Sequence, residues 1–250
     1  MKKIYLNKKE FRYSNLEELA VEFEKRNIKI GEGSSIGDYS SVSDGVMIGN
    51  NVSIGNYCSI GSATTIANDS TVCNRSSIGN NCSLGNGAYL GYRSSIGNYV
   101  SMLSYALIKN RSSVSNNSII GAHSSIGSDC TIRNNASIGN NVEIQNNVSI
   151  SSDVSLRDKS FVCAGSSIGN FSSIKENIAV KNNIYIVGSL GPVSAVTYTG
   201  NRNMSIGCLN NTIDYFIKNF KEVGESENLT PEQIQEYREY VLIVDKFSKL

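Results

Sequence analysis

The sequence predicts a mainly β chain, a long repeat solenoid closed at each end by helices. Three observations carry this. Every sixth residue from Ile30 to Ile186 is Ile, Val, Leu or Met, 27 in succession without a slipped register. The residue four places after each is small or β-branched, as at Ser34, Cys58, Ala88, Cys130 and Val142. The place after the aliphatic is often Gly, and the next is mostly Asn, Asp or Ser. Neither a helix nor plain strand alternation has a period of six, whereas a short strand plus a turn does.

The elements follow in chain order. Residues 1–29 precede the repeat. Ser14-Asn15-Leu16-Glu17 has capping-box spacing, and Leu16, Leu19, Ala20 and Phe23 fall on one helical face. The first coil of a solenoid exposes an unpaired edge and an open core, so a short helical cap is expected to cover it. Within residues 30–187, three hexads should make one triangular coil, so the 27 hexads give nine coils. At ~4.8 Å per strand the prism is roughly 40 Å long. The aliphatic and small residues would fill its interior, with Asn and Gly at corners whose tight turns need positive φ.

After Ile186 the period breaks at Val187-Gly188-Ser189-Leu190-Gly191-Pro192. Ser194–Thr199 reads as a short strand and Asn201-Arg202-Asn203 as a turn. A helix is expected from about Ile213 to Val223, stopped by Gly224. Thr230-Pro231-Glu232-Gln233 opens a second, with Ile234, Tyr237, Val241, Val244 and Phe247 on one face. Residues 188–250 thus form a strand and loop followed by a helical hairpin that would seal the last coil.

Composition excludes several classes. A net charge of +1 over 250 residues gives no global pull toward nucleic acid or membrane. Met1–Lys8 lacks the apolar core of a signal peptide, and no apolar run approaches membrane length, so a cytoplasmic address is the default expectation. Of the six cysteines, Cys58, Cys82 and Cys130 occupy the small inward position, where Cys acts as a small hydrophobe. Cys73 and Cys163 share an outward column but lie several coils apart, too far to bridge. Cys208 has no His beside it and reads as packing. Reduced thiols are expected throughout.

Hexads such as Ile48-Gly49-Asn50-Asn51-Val52-Ser53 and Ile138-Gly139-Asn140-Asn141-Val142-Glu143 resemble those of the hexapeptide-repeat acyltransferases over about two thirds of the chain. The resemblance implies a left-handed parallel β-helix, an acyl-CoA co-substrate and a sugar or nucleotide-sugar acceptor. It also implies a homotrimer with a His base at the subunit boundary. Zinc is not expected: the carbonic anhydrases sharing this helix use three histidines, and this chain has one.

A regular repeat lets columns be read directly, because residues 18 apart stack. One corner carries Tyr39, Tyr57, Arg75, Arg93, Arg111 and Asp129, with Tyr92 and Lys109 close by. Stacked guanidiniums repel unless anions intervene. This edge is either a solvated basic surface, partly neutralised by Asp129 or a neighbouring subunit, or an anion site for a phosphate, a nucleotide-sugar diphosphate or an acidic polymer.

A second corner carries Asp69, Gly87, Tyr105, His123, Asn141 and Lys159, followed on the next face by Tyr89, Leu107, Ser125, Glu143 and Phe161. Glu143 lies one coil from Ser125 and near His123; a carboxylate there can orient an imidazole and raise its basicity, as a general base needs. In the sugar-acylating branch the catalytic His commonly stands two after the aliphatic, whereas His123 stands three after Ile120. A solvated turn histidine is the competing reading. Tyr105 and Asn141 join Arg75, Tyr92, Arg93, Lys109 and Arg111 as candidate substrate-binding residues.

Outward apolar residues gather in these coils at Leu103, Tyr105, Leu107 and Ile119, flanked by Tyr89 and Phe161, which suggests an interface. The third face is a ladder of Ser41, Ser59, Ser77, Ser95, Ser113, Thr131, Ser149 and Ser167. Near the last coils stand Arg157, Lys159, Lys175 and Lys181. In the family coenzyme A lies along these coils, which makes them candidates for the donor phosphates. The reading is therefore an acyl-CoA-dependent transferase, with acetyl the expected group, His123 as base and Glu143 orienting it. Its rivals are a catalytically silent scaffold engaging an anionic glycan or partner through the arginine corner, and an ice- or surface-binding solenoid.

Overall fold

The computed structural model describes residues 1–174, 179–180, 185–186, 196–200, 202–206, 209–226 and 229–247. The repeat folds as a left-handed parallel β-helix. Twenty-seven short strands run from Lys29–Ile30 to Tyr185–Ile186, nine on each of three faces. Each strand pairs in parallel with one a coil further on, so Ser77 opposes Ser95, Leu84 opposes Met102 and Tyr89 opposes Leu107. The period-six aliphatics from Ile36 to Ile174 are buried in one continuous core.

The corners explain the rest of the motif. Every sixth residue from Asn27 to Phe171 has a positive φ, including Tyr57, Arg93 and His123. That position lies three after the aliphatic, so it falls just beyond the Gly-Asn pair. The glycine of the pair answers a different demand, close approach between coils. Asn68 Oδ1 accepts the Asn50 N–H at 2.8 Å, and a Cβ on Gly49 would collide with that same oxygen. Cys73, Leu103, Lys109 and Arg133 stand in the glycine column, and one coil on Tyr92, Ala122, Ser128 and Ser152 replace the Asn.

Inside each corner, small side chains tie successive coils together. Ser124 Oγ donates to Gly139 O at 2.6 Å and accepts from Val142 N at 3.0 Å. Ser112 likewise donates to Gly127 O and accepts from Cys130 N. The buried thiols follow suit: Cys58 donates to Cys73 O, Cys82 to Gly97 O and Cys130 to Gln145 O. Burial raises the pKa of all three, opposed by backbone hydrogen bonds. The cysteines at positions 58, 73, 82, 130 and 163 are free thiols, as expected; Cys208 lies outside the described residues.

The N-terminal cap holds more than the expected helix. Strands β1 (Lys2–Leu6) and β2 (Lys9–Tyr13) form an antiparallel hairpin, and β1 pairs in parallel with Ser40–Val42. Asn7 and Lys8 at its tip both have positive φ, as a tight hairpin turn requires. A 3₁₀ turn at Leu16–Leu19 then leads into α1 (Ala20–Lys25), and Leu19 and Phe23 are buried on the prism end. Ala20, expected on the buried face, is exposed. The cap forms one residue later than expected: Asn15 Oδ1 accepts from Glu18 N, and Glu18 reaches back to Ser14 N.

At the other end, strands Val196–Gly200, Asn203–Ile206 and Leu209–Thr212 form an antiparallel meander carrying α2 (Ile213–Ser226) and α3 (Pro231–Phe247). Thr230 and Gln233 exchange backbone and side-chain bonds in the expected capping box. Gly224 does not stop α2. It is buried within the helix, where a Cβ would strike Ile234 of α3, so the glycine permits helix–helix contact. Met204, Phe216, Tyr237, Val241 and Val244 make a second core there. No helix among the described residues is long and apolar enough to cross a membrane.

Candidate functional site

The register places the two site corners on either edge of one prism face. That face carries Tyr89, Leu107, Ser125, Glu143 and Phe161 in successive coils. Tyr105, His123, Asn141 and Lys159 line the corner before it, all at positive φ. Arg75, Arg93 and Arg111 line the corner after it, with Tyr92 beside Arg93 and Lys109 two residues before Arg111. The candidate base and the arginines therefore share a face; six residues separate the corners, roughly 15–20 Å at strand rise.

His123 is exposed, and its backbone N–H donates to Ser104 O at 3.1 Å. Its ring stacks on Tyr105, centroids 5.1 Å apart and planes 16° from parallel. Among the described residues no hydrogen bond or ion pair joins it to Glu143, which stands exposed opposite Ser125. Asn141 is the next residue along the His123 corner, its N–H bonded to Ala122 O.

The arginine corner is not a bare stack of like charges. Lys3 lies over Tyr39, Tyr39 stacks on Tyr57, and Arg75 lies over Tyr57. Arg93 covers the ring of Tyr92 at 5.1 Å. Arg111 is taken by Asp129 through two contacts, Nε–Oδ1 at 2.9 Å and Nη2–Oδ2 at 3.0 Å. Repulsion is relieved from within by aromatic faces and one carboxylate. That leaves Arg75 and Arg93 as the guanidiniums of this corner without a carboxylate among the described residues.

Around the His123 corner the surface is apolar: Leu103, Tyr105 and Ile119 are 41%, 59% and 48% exposed. Arg157 and Lys159 are exposed, and Lys159 stands two coils beyond His123 on the same corner. Lys175 and Lys181 lie outside the described residues. Arg202, in the turn between the strands of the C-terminal meander, is held by Asp214 and Asp245. Column reading placed Gly87 on this corner but missed the ring stacking and the role of that glycine, over which the Tyr105 ring lies. A cavity of about 760 Å³ opens between α1 and the first coil, lined by residues such as Phe23, Ile30 and Glu32. None of the candidate residues touches it, and the middle-coil site lies on an open face.

The bacterial transferase hexapeptide (six repeats) family model matches residues 27–62, and that of the GMPPB C-terminal domain matches residues 63–162. The chain is a hexapeptide-repeat protein. No curated protein matches it. Among solved structures it is similar to UDP-N-acetylglucosamine O-acyltransferase from Moraxella catarrhalis RH4, at 16% identity and TM-score 0.44, covering 94% of this hexapeptide-repeat chain and 80% of that one. It is similar also to the polysialic acid O-acetyltransferase OatWY, at 18% identity and TM-score 0.41, covering 70% and 88%. A third is a mutant perosamine N-acetyltransferase from Caulobacter crescentus in complex with CoA and GDP-perosamine, at 11% identity and TM-score 0.31, covering 73% and 63%.

Proposed function

We propose that this protein is an acyl-CoA-dependent acyltransferase, acetylating a hydroxyl or amine of a sugar or nucleotide sugar in polysaccharide or glycoconjugate biosynthesis in the cytoplasm. The observation that carries this reading is the setting of His123. The one imidazole of the chain stands exposed on a corner where the surface turns apolar, in line with the cationic Lys159 two coils on. His123 takes the proton of the attacking hydroxyl or amine as it adds to the acyl carbonyl. The tetrahedral adduct then collapses, the thioester C–S bond breaks, and the thiolate leaves. Glu143, one coil on, supports the imidazolium electrostatically.

The donor's phosphates would meet Arg157 and Lys159, with Lys175 and Lys181 further along the sequence as additional candidates. Arg75, Arg93 and Arg111, with Tyr92, Lys109 and Asn141, would hold an anionic acceptor across the face. An open face needs a second wall, and exposed Leu103, Tyr105 and Ile119 favour a neighbouring copy in a homotrimer. Light scattering checks this: a monomer would sink the shared site.

Calorimetry with coenzyme A and acetyl-CoA tests the donor. Binding that weakens on Lys159→Glu supports the reading, and no binding by the wild-type protein overturns it. The Lys3–Tyr39–Tyr57–Arg75 ladder favours a second reading, a silent scaffold for an anionic glycan. That reading predicts glycan binding lost in Arg75→Glu, without turnover in any acceptor mixture.

A further inference from the structure

We infer that Gly87 and Tyr105 form a built platform that fixes the ring plane of His123; this role rests on His123 acting as the base. Three consecutive coils contribute to the platform at one corner, all with positive φ: Gly87 at 64°, Tyr105 at 59° and His123 at 58°. The lowest position has no side chain. A Cβ there would stand 2.7 Å from Tyr105 Cδ1 and Cε1, so the glycine lets the tyrosine ring lie down along the prism. The imidazole then lies on that ring at 5.1 Å, near parallel.

The chemistry follows from the geometry. Near-parallel stacking hinders rotation of the imidazole about χ2 and leaves the in-plane N–H and lone pair of its nitrogens clear of the Tyr105 face. No hydrogen bond from Glu143 holds the ring among the described residues, so orientation falls to the stack. Tyr105 is on this account a positioning residue: its effect reaches the reaction through His123. Tyr39 and Tyr57 stack with similar geometry, which shows that the corner spacing suits ring ladders. What sets the His123 corner apart is a titratable ring on top and a glycine beneath.

Because the chain has one histidine, its imidazole NMR signals are unambiguous and need no activity to be read. In the wild type they should lie upfield, shifted by the Tyr105 ring. Tyr105→Leu should move them to the free-imidazole position and lower kcat roughly three- to tenfold with KM unchanged, the scale expected of one lost weak interaction. Tyr105→Phe, which keeps the ring, should restore most of both. Gly87→Ala should displace the signals in the same direction as Tyr105→Leu. Tyr99→Leu removes an exposed aromatic at a positive-φ corner outside the site and should leave signals and turnover as they are, which controls for the fold.

Signals that do not move in Tyr105→Leu overturn the platform. A rise in KM with kcat unchanged also overturns it, making Tyr105 a substrate contact. If signals move but kcat does not, the stack exists without positioning anything, and the inference fails. Full turnover in His123→Ala is a separate failure, that of the base itself, and is distinguishable because the NMR arm would still report the stack.

Discussion

Replacing Gly49 by Ala, alone and together with Asn68→Ala, probes the contact that gives this repeat its Gly-Asn motif. The backbone at Gly49 is not in the left-handed region, so a side chain is not excluded by φ. The nearest obstacle is Asn68 Oδ1, which accepts the Asn50 N–H at 2.8 Å; behind it stands the Asn68 backbone N, 2.8 Å from where the Cβ would be and still there in the double variant. Native departures from glycine give a graded scale. Where glycine is kept the equivalent bond spans 2.7 Å, as at Gly37 and Gly61, to 2.9 Å, as at Gly31 and Gly91; with Ser115 it is 3.1 Å, and with Ser151 it is 3.0 Å. Beside Ala67, Asn68 N makes no such bond to Asn86 among the described residues.

Gly49→Ala should therefore weaken or break one exposed bond and crowd the corner. The expected loss is ~1–2 kcal/mol, reduced by the lower entropy of the unfolded alanine chain. Asn68→Ala loses the same bond, ~0.5–1 kcal/mol at an exposed site. The double variant cannot lose it twice, so the two changes should couple by ~0.5–1 kcal/mol. Urea unfolding of the four proteins gives this number. Strict additivity, within ~0.3 kcal/mol, would refute the reasoning and return the glycine column to a backbone requirement.

Further outcomes follow from the same physics. The buried Cys58, Cys82 and Cys130 have raised pKa values, so as pH climbs past the ordinary thiol value of about 9.0 the unfolded chain loses its protons first. Their contribution is complete below that pH and declines above it by up to ~1.4 kcal/mol per thiol per pH unit, until the folded thiols titrate. Serine fills the same hexad position at Ser112 and Ser124 with the same bonds. A triple Cys→Ser variant should thus keep its neutral-pH stability to within ~1 kcal/mol per site and flatten the alkaline decline; an unchanged decline contradicts this. Gly224→Ala should destabilise the C-terminal helices by ~1–3 kcal/mol although alanine is the better helix former, because Ile234 occupies the space; a raised melting temperature would contradict the contact. Arg93→Glu should raise KM for a phosphorylated acceptor roughly tenfold, about one charge-assisted hydrogen bond; an unchanged KM would return this corner to solvated surface.

The prism was legible because its period is set by the strongest term available, burial of one aliphatic per hexad, and Ile30 to Ile186 never misses. The columns were equally legible, since the register is fixed at 18 residues and Tyr89, Leu107, Ser125 and Glu143 must then align. The N-terminal hairpin was not: the Asn7-Lys8 turn and the alternation of Ile4, Leu6, Phe11 and Tyr13 are a local signal, and the nearby capping pattern drew the reading toward helix alone. Gly224 misled because a glycine for close packing and a glycine that ends a helix look alike in sequence. The Gly-Asn pair misled similarly, since a steric need and a conformational one select the same residue. At the site, columns showed which residues neighbour one another but not how their side chains resolve competing charges. Pairing of Arg111 with Asp129, and of Arg75 and Arg93 with aromatic rings, depends on rotamers that no periodicity encodes.

On the proposed function, this prism transfers an acyl group with His123 as base. Release of free coenzyme A thiol from acetyl-CoA, measured with and without a mixture of nucleotide sugars and anionic oligosaccharides, tests it most directly. Thiol release by the wild-type protein should depend on acceptor, and His123→Ala should lower it by roughly 10²–10⁴. Acceptor-independent background in the wild type, or a full rate in His123→Ala, would contradict the claim.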